Sequence, residues 1–365
     1  VSQDDGGAVD VNRGVVALIE NSRFSGNRAE SSTSHGGGLS VVNGASVTIV
    51  DTAFENNFSA QKGGALYLSQ GSTATIAGTL SIGADSLATD ATTRFVQNAS
   101  DFDGGGIAAI EDSDLTVSGV LFRDNFSGDD GGGIAVTETS RATIENTNFE
   151  GNITLDHGGG LYHNNINNTL VAGTSLVLTN SRLIENQAQQ SGGGFHQGLR
   201  SSSVVRDSLF RGNAAAVDGG GIHVSEGTTT VENSQIVANS ARFGGGIEVS
   251  SNGTAMVTST ALIENVASFL GGGAQIDSGT TFQASNSTFE RNQAPEGGGL
   301  FNRGTSEITN STFSGNLAQL IGGAIRSTGS SAVATIRHST LTANASETAA
   351  GGISNTDSST VNLQN

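Results

Sequence analysis

Two sets of residues in this sequence have the types and spacing for chemistry. The first is Tyr162, His196, His223, Glu248, Gln275, Phe301 and Arg326, each directly following an apolar residue that recurs along the chain. Rings, imidazoles, a carboxylate, an amide and a guanidinium in one column suit a sugar chain. Aromatic faces cover the C–H faces of sugars, and the polar groups orient the hydroxyls. The plain alternative is an exposed sheet face with scattered polar side chains. The second set is His35, Lys62, Asp103, Asp130, His157, Ser191 and Asp218, each directly preceding a glycine run. Asp103, Asp130 and His157, with Asp101 and Asp129 close by in sequence, could hold a cation such as calcium, which takes oxygen ligands. Asp before Gly is also an ordinary turn choice.

Both columns depend on a repeat. A block of small residues followed by an apolar one recurs thirteen times from Val9 to Ile353, mostly at intervals of 25 to 28 residues. A second signature, apolar-x-x-Asn, interleaves with it from Phe24–Asn27 to Leu341–Asn344. Within a repeat the apolar residues alternate with period two, as in Ala142-Thr143-Ile144 and Val47-Thr48-Ile49. That pattern predicts short strands and no helical stripe. Repeats of about 27 residues with three short strands and tight turns predict an all-β fold: one continuous, single-stranded parallel β-helix over residues 1–365, with 12 to 13 coils. Each strand then stacks about 4.8 Å from its equivalent in the next coil. The asparagine of apolar-x-x-Asn is expected at a turn, where it tolerates left-handed backbone and forms amide ladders.

Composition narrows the function. There are 53 glycines and a single proline without a three-residue period, which excludes collagen. Zero cysteines exclude a disulfide scaffold and a thiolate metal site. No apolar run is long enough to span a bilayer as a helix, so the chain is not expected to cross a membrane itself. The net charge of −18, from 34 acids against 16 bases, repels nucleic acid and anionic membranes.

The glycine block together with Phe-x-x-Asn resembles the repeats of the polymorphic outer-membrane protein family. Residues Glu307 to Asn316, reading EITNSTFSGN, followed by Gly322-Gly323-Ala324-Ile325, carry the likeness most clearly. The resemblance implies a right-handed coil and a secreted or cell-surface location, associated with the outer membrane. It also implies an adhesin or passenger-type role presenting a face to glycans or cells, and it brings no catalytic residues. This sequence has no cysteine, and the C-terminal membrane barrel found in many members is not expected within it.

Two longer intervals predict loop insertions near 77–93 and 163–175, protruding from one edge. The last residues, Val361 to Asn365, match the start of a further coil. They suggest a fragment of a longer chain, or a unit that stacks end to end into a filament or sheath. The enzyme alternative is a polysaccharide lyase or hydrolase. It needs a base, an acid and a charge-neutralising group at one place. His196, His223 and Arg326 have suitable chemistry, but Arg326 lies several coils from His196, and no paired carboxylates stand out. The expectation is therefore a non-enzymatic surface module with no cofactor beyond calcium.

Overall fold

The computed structural model describes residues 5–165 and 175–364. It divides into two compact units, Val1–Gln189 with Arg200–Ser202, and Gln190–Leu199 with Ser203–Asn365. Counted on one strand per coil among the described residues, the first unit carries six coils and the second seven. No helix among the described residues is long and apolar enough to cross a membrane.

A coil has four strands where the sequence predicts three. Ile134–Thr137, Arg141–Glu145, Asn148–Glu150 and Ile153–Thr154 show the pattern. Their equivalents stack in parallel into four sheets, here the first to fourth in that order. In the first unit the extra strand is two residues long, too short to show a period-two pattern in sequence. The second sheet alternates inward and outward as expected, with Ala142 and Ile144 buried and Arg141, Thr143 and Glu145 exposed. The first sheet is buried on both faces.

Register is held by side chains that stack on themselves. Phe24, Phe54, Phe95, Phe122 and Phe149 are successive partners in the third sheet. Their ring centroids are 4.6 to 5.0 Å apart and the ring planes nearly parallel. The following asparagines form a buried amide ladder. In Asn125, the side-chain Nδ2 donates to Phe95 O at 2.9 Å and to Asn152 Oδ1 at 2.9 Å. Its own Oδ1 accepts from the backbone and side-chain nitrogens of Asn98, both at 3.0 Å. A one-residue slip would break every rung. The left-handed residue is not this asparagine but the one before it, such as Asn56 or Asp124, at φ 55° and 54°. A further left-handed site falls on Asn146 and Asn310, ahead of the serine or threonine that precedes the third strand, at φ 50° and 48°.

The glycine block marks the closest approach between coils. Gly131 has φ 70°, and a Cβ on Gly132 would lie 2.5 Å from the carbonyl oxygen of Gly159. Only a residue without a side chain fits there.

The first insertion does not stand free. Leu80–Ile82 and Ala88–Ala91 form an antiparallel hairpin. Ala88 and Ala91 pack on Leu121 of the third sheet, with Leu80 and Ile82 against them. Glu150 anchors it: Oε1 accepts from Ala88 N at 2.6 Å, and Oε2 meets Arg123 Nη2 at 2.6 Å. Apolar residues in the insert explain the difference, since a protruding loop would leave them in water. Of the second insertion, residues 166–174 lie outside the described residues.

Candidate binding face

The first sheet places both residue columns. Its strands begin after the glycine turn, so the residue before the glycines flanks the outward residue of the strand. In the first unit, Tyr67, Ala108, Ala135 and Tyr162 are successive outward partners. His35 stacks on Tyr67 at 4.3 Å, and Asp130 hydrogen-bonds to Tyr162. The two columns, read separately from sequence, thus meet side by side.

Burial corrects the picture of an open surface column. Tyr162, His196, His223, Glu248, Gln275, Phe301 and Arg326 are all at least nine-tenths buried. In each unit these side chains are covered and do not make an exposed sugar platform.

The acids of the first unit share Asp130 between two groups. Donor atoms of Asp103, Asp129 and Asp130 lie within 4.8 Å of one another, and so do those of Asp130, Asp156 and His157. The expected trio of Asp103, Asp130 and His157 is therefore split. Lys62 Nζ lies 2.7 Å from Asp103 Oδ2, so the cluster carries a cation of its own. Burial works against the Lys62 charge, but Asp103 outweighs it and raises the pKa. Burial, then the charges of Asp103 and Asp129, push Asp130 up to about 8. The Lys62 ammonium thus offsets part of the negative charge in this cluster.

In the second unit, donor atoms of Asp218, His223 and Glu248 lie within 4.8 Å of one another. Glu248 Oε2 is 2.6 Å from His223 Nε2, and His223 Nδ1 is 3.0 Å from His196 Nδ1. Burial lowers the His223 pKa to about 4 and raises Glu248 well above the usual carboxylate range, aided by Asp218 and Asp277. Arg326 is three strand steps from Glu248, through Gln275 and Phe301, and contacts Glu296 at 3.4 Å. At about 4.8 Å per step it is some 14 Å away, too far to neutralise a carboxylate held at His223.

Exposed aromatic residues lie elsewhere. Of sixteen phenylalanines only Phe102, Phe126 and Phe269 are exposed. Phe126 continues an outward column of the fourth sheet, with Phe58, Ala99 and Ile153 as partners. In the second unit Phe269 meets Phe243 edge-on at 5.6 Å, and the Arg242 guanidinium lies 4.9 and 5.8 Å from the two ring centroids. Phe243 pairs with Asp218 in the adjacent coil. The column had a sequence signal that went unread: its members directly follow the ladder asparagine, as in Asn57-Phe58, Asn125-Phe126 and Asn152-Ile153.

Comparison with known proteins agrees with this architecture. The family model for the right-handed beta helix region matches residues 9–262. The model for the Chlamydia polymorphic membrane protein repeat matches residues 310–328, which include the EITNSTFSGN tail and its glycine block. No curated protein matches the chain.

Proposed function

The chain belongs to the right-handed β-helix family, and from that premise we propose that it is a surface-displayed, passenger-type module that binds a neutral glycan without cleaving it. The likeness of residues 310–328 to a polymorphic membrane protein repeat supports outer-membrane or surface association. One observation carries the binding reading: the Arg242, Phe243 and Phe269 cluster, where an open ring is left in water in a chain that buries most of its phenylalanines. An exposed ring offers an apolar face to sugar C–H groups, while the guanidinium donates to hydroxyls. A net charge of −18 favours a neutral ligand over a polyanion. Binding without turnover fits the burial of His223 and Glu248, whose side chains are 6% and 2% exposed, which leaves a glycosidic bond no approach to them.

The test is a panel of neutral and acidic polysaccharides, with and without calcium, read for retention and for new chain ends. The reading expects retention of neutral chains, no new ends and no calcium requirement. New chain ends would establish a lyase or hydrolase instead. Absence of retention would remove the glycan role.

A further inference from the structure

We propose that Asp218, His223 and Glu248 of the second unit form a binding site for one divalent transition-metal ion of the zinc class. One nitrogen and two carboxylates offer donor atoms within 4.8 Å of one another. Acidic clusters are common, and the cluster alone would not suffice. The second observation is a pair of buried oxygens left without a hydrogen bond, although Glu248 also bonds Ser250, and Ser250 Oγ lies 2.9 Å from His223 Nε2. Glu248, 1% exposed, has an Oε2 that makes no aligned hydrogen bond despite its 2.6 Å approach to His223 Nε2. Gln275, its partner on the next strand and 3% exposed, has an equally orphaned Oε1. Leaving such a group unmatched costs about 1–3 kcal/mol. The Glu248 oxygen lies within the donor cluster, where a bound cation would serve it.

The donor set selects the ion. Imidazole with carboxylates suits zinc and its neighbours, while calcium takes six to eight oxygens. Tetrahedral bonds of about 2.0–2.1 Å place donors about 3.3 Å apart, so binding opens the His223–Glu248 contact by less than about 1 Å. With Nε2 of His223 turned to the metal, its Nδ1–H points at His196 Nδ1, 3.0 Å away. A metal-bound histidine ordinarily donates its second nitrogen in this way, which makes His196 a positioning residue. Asp277, hydrogen-bonded to Gln275 Nε2 at 3.0 Å, adds negative charge nearby. Asp218 is only partly buried, which gives an ion a way in.

The experiment uses the full chain, stripped with a chelator and dialysed, then titrated with zinc alone, with calcium and magnesium as comparators. Bound metal is counted, and binding is measured by calorimetry. We expect one zinc per chain, with no comparable uptake of calcium or magnesium. Glu248→Gln and His223→Gln should abolish uptake, and His196→Gln should weaken it about 10–100-fold. His338→Gln, at an exposed histidine, should leave it unchanged. Folding of each variant is checked by its circular dichroism and melting transition. If the buried variants do not fold, Asp218→Asn at the part-exposed edge must weaken zinc binding by at least tenfold. The proposal is overturned if wild type takes up no zinc, or if zinc binding survives Asp218→Asn undiminished.

Discussion

Lys62 places its ammonium 2.7 Å from a carboxylate oxygen of Asp103, and it is the chain's single lysine. A chain with 34 acids has put its one compact cation beside a cluster of them. Lys62→Met should therefore destabilise the protein by about 1.5–3 kcal/mol at pH 7, the usual worth of a hydrogen bond to a charged group. Because the Lys62 pKa is raised, its contribution is full below the ordinary lysine value of 10.5 and fades as pH climbs past the raised one. Urea unfolding of both proteins at pH 7 and pH 11.5 checks this: the difference should shrink at the higher pH. An unchanged midpoint at pH 7 would mean that the pair contributes nothing.

Asp130 gives a pH signature of the same sign in a lower pH window. Its pKa is pushed up to about 8, so the folded state holds a proton that the unfolded chain releases near 4. Stability linked to this proton is present below the unfolded pKa and lost as pH rises through 8. Asp130→Asn keeps the shape without the charge. It should match wild type at pH 4 and melt several degrees higher at pH 9. Equal melting temperatures at pH 9 would show that Asp130 ionises without cost.

The amide ladder predicts asymmetric damage. Asn125→Ala removes the acceptor for two Asn98 nitrogens and should cost about 2–4 kcal/mol in unfolding free energy. Asn125→Asp keeps that acceptor but cannot donate to Phe95 O or Asn152 Oδ1. It should also destabilise, and protonation at low pH should recover part of the loss. Chemical denaturation of the three proteins at pH 7 and pH 3 separates these outcomes.

Much of the fold was legible because each coil repeats the same physical problem. Glycine where coils touch, alternation along a strand and Phe-x-x-Asn at a fixed offset all read out of sequence. The shift of left-handed backbone to Asn56 and Asp124 was not legible, since the ladder asparagine is the more usual choice for that geometry. The candidate site was legible by position and not by exposure. Period-two reasoning placed Glu248 and Tyr162 directly after the core residues Ile247 and Leu161, and both are buried. It could not show that His35 packs over Tyr67, or that Asp130 closes against Tyr162. Those contacts arise from a turn bringing one column beside another, which no single-strand pattern records. The exposed Phe269 was passed over because it lies outside the strand that carries the apolar-glycine signature.

Glu150 joins the inserted hairpin to the coil through Ala88 and Arg123. Glu150→Ala should leave the coils folded and release the hairpin. Limited proteolysis would then cut within residues 83–87 at least tenfold faster than in wild type, by the ordinary link between local opening and cleavage. Unchanged resistance would mean that the Ala88, Ala91 and Leu121 packing holds the hairpin alone.

The central claim is binding at the open aromatic cluster without turnover. Its most direct test compares wild type with Phe269→Ala for retention of the best neutral polysaccharide, with chain ends counted in the same samples. The account predicts that wild type is retained, that Phe269→Ala loses about tenfold in affinity, as removal of about 1.4 kcal/mol of ring contact would give, and that neither creates new ends. New chain ends with wild type, or full retention by Phe269→Ala, would contradict it.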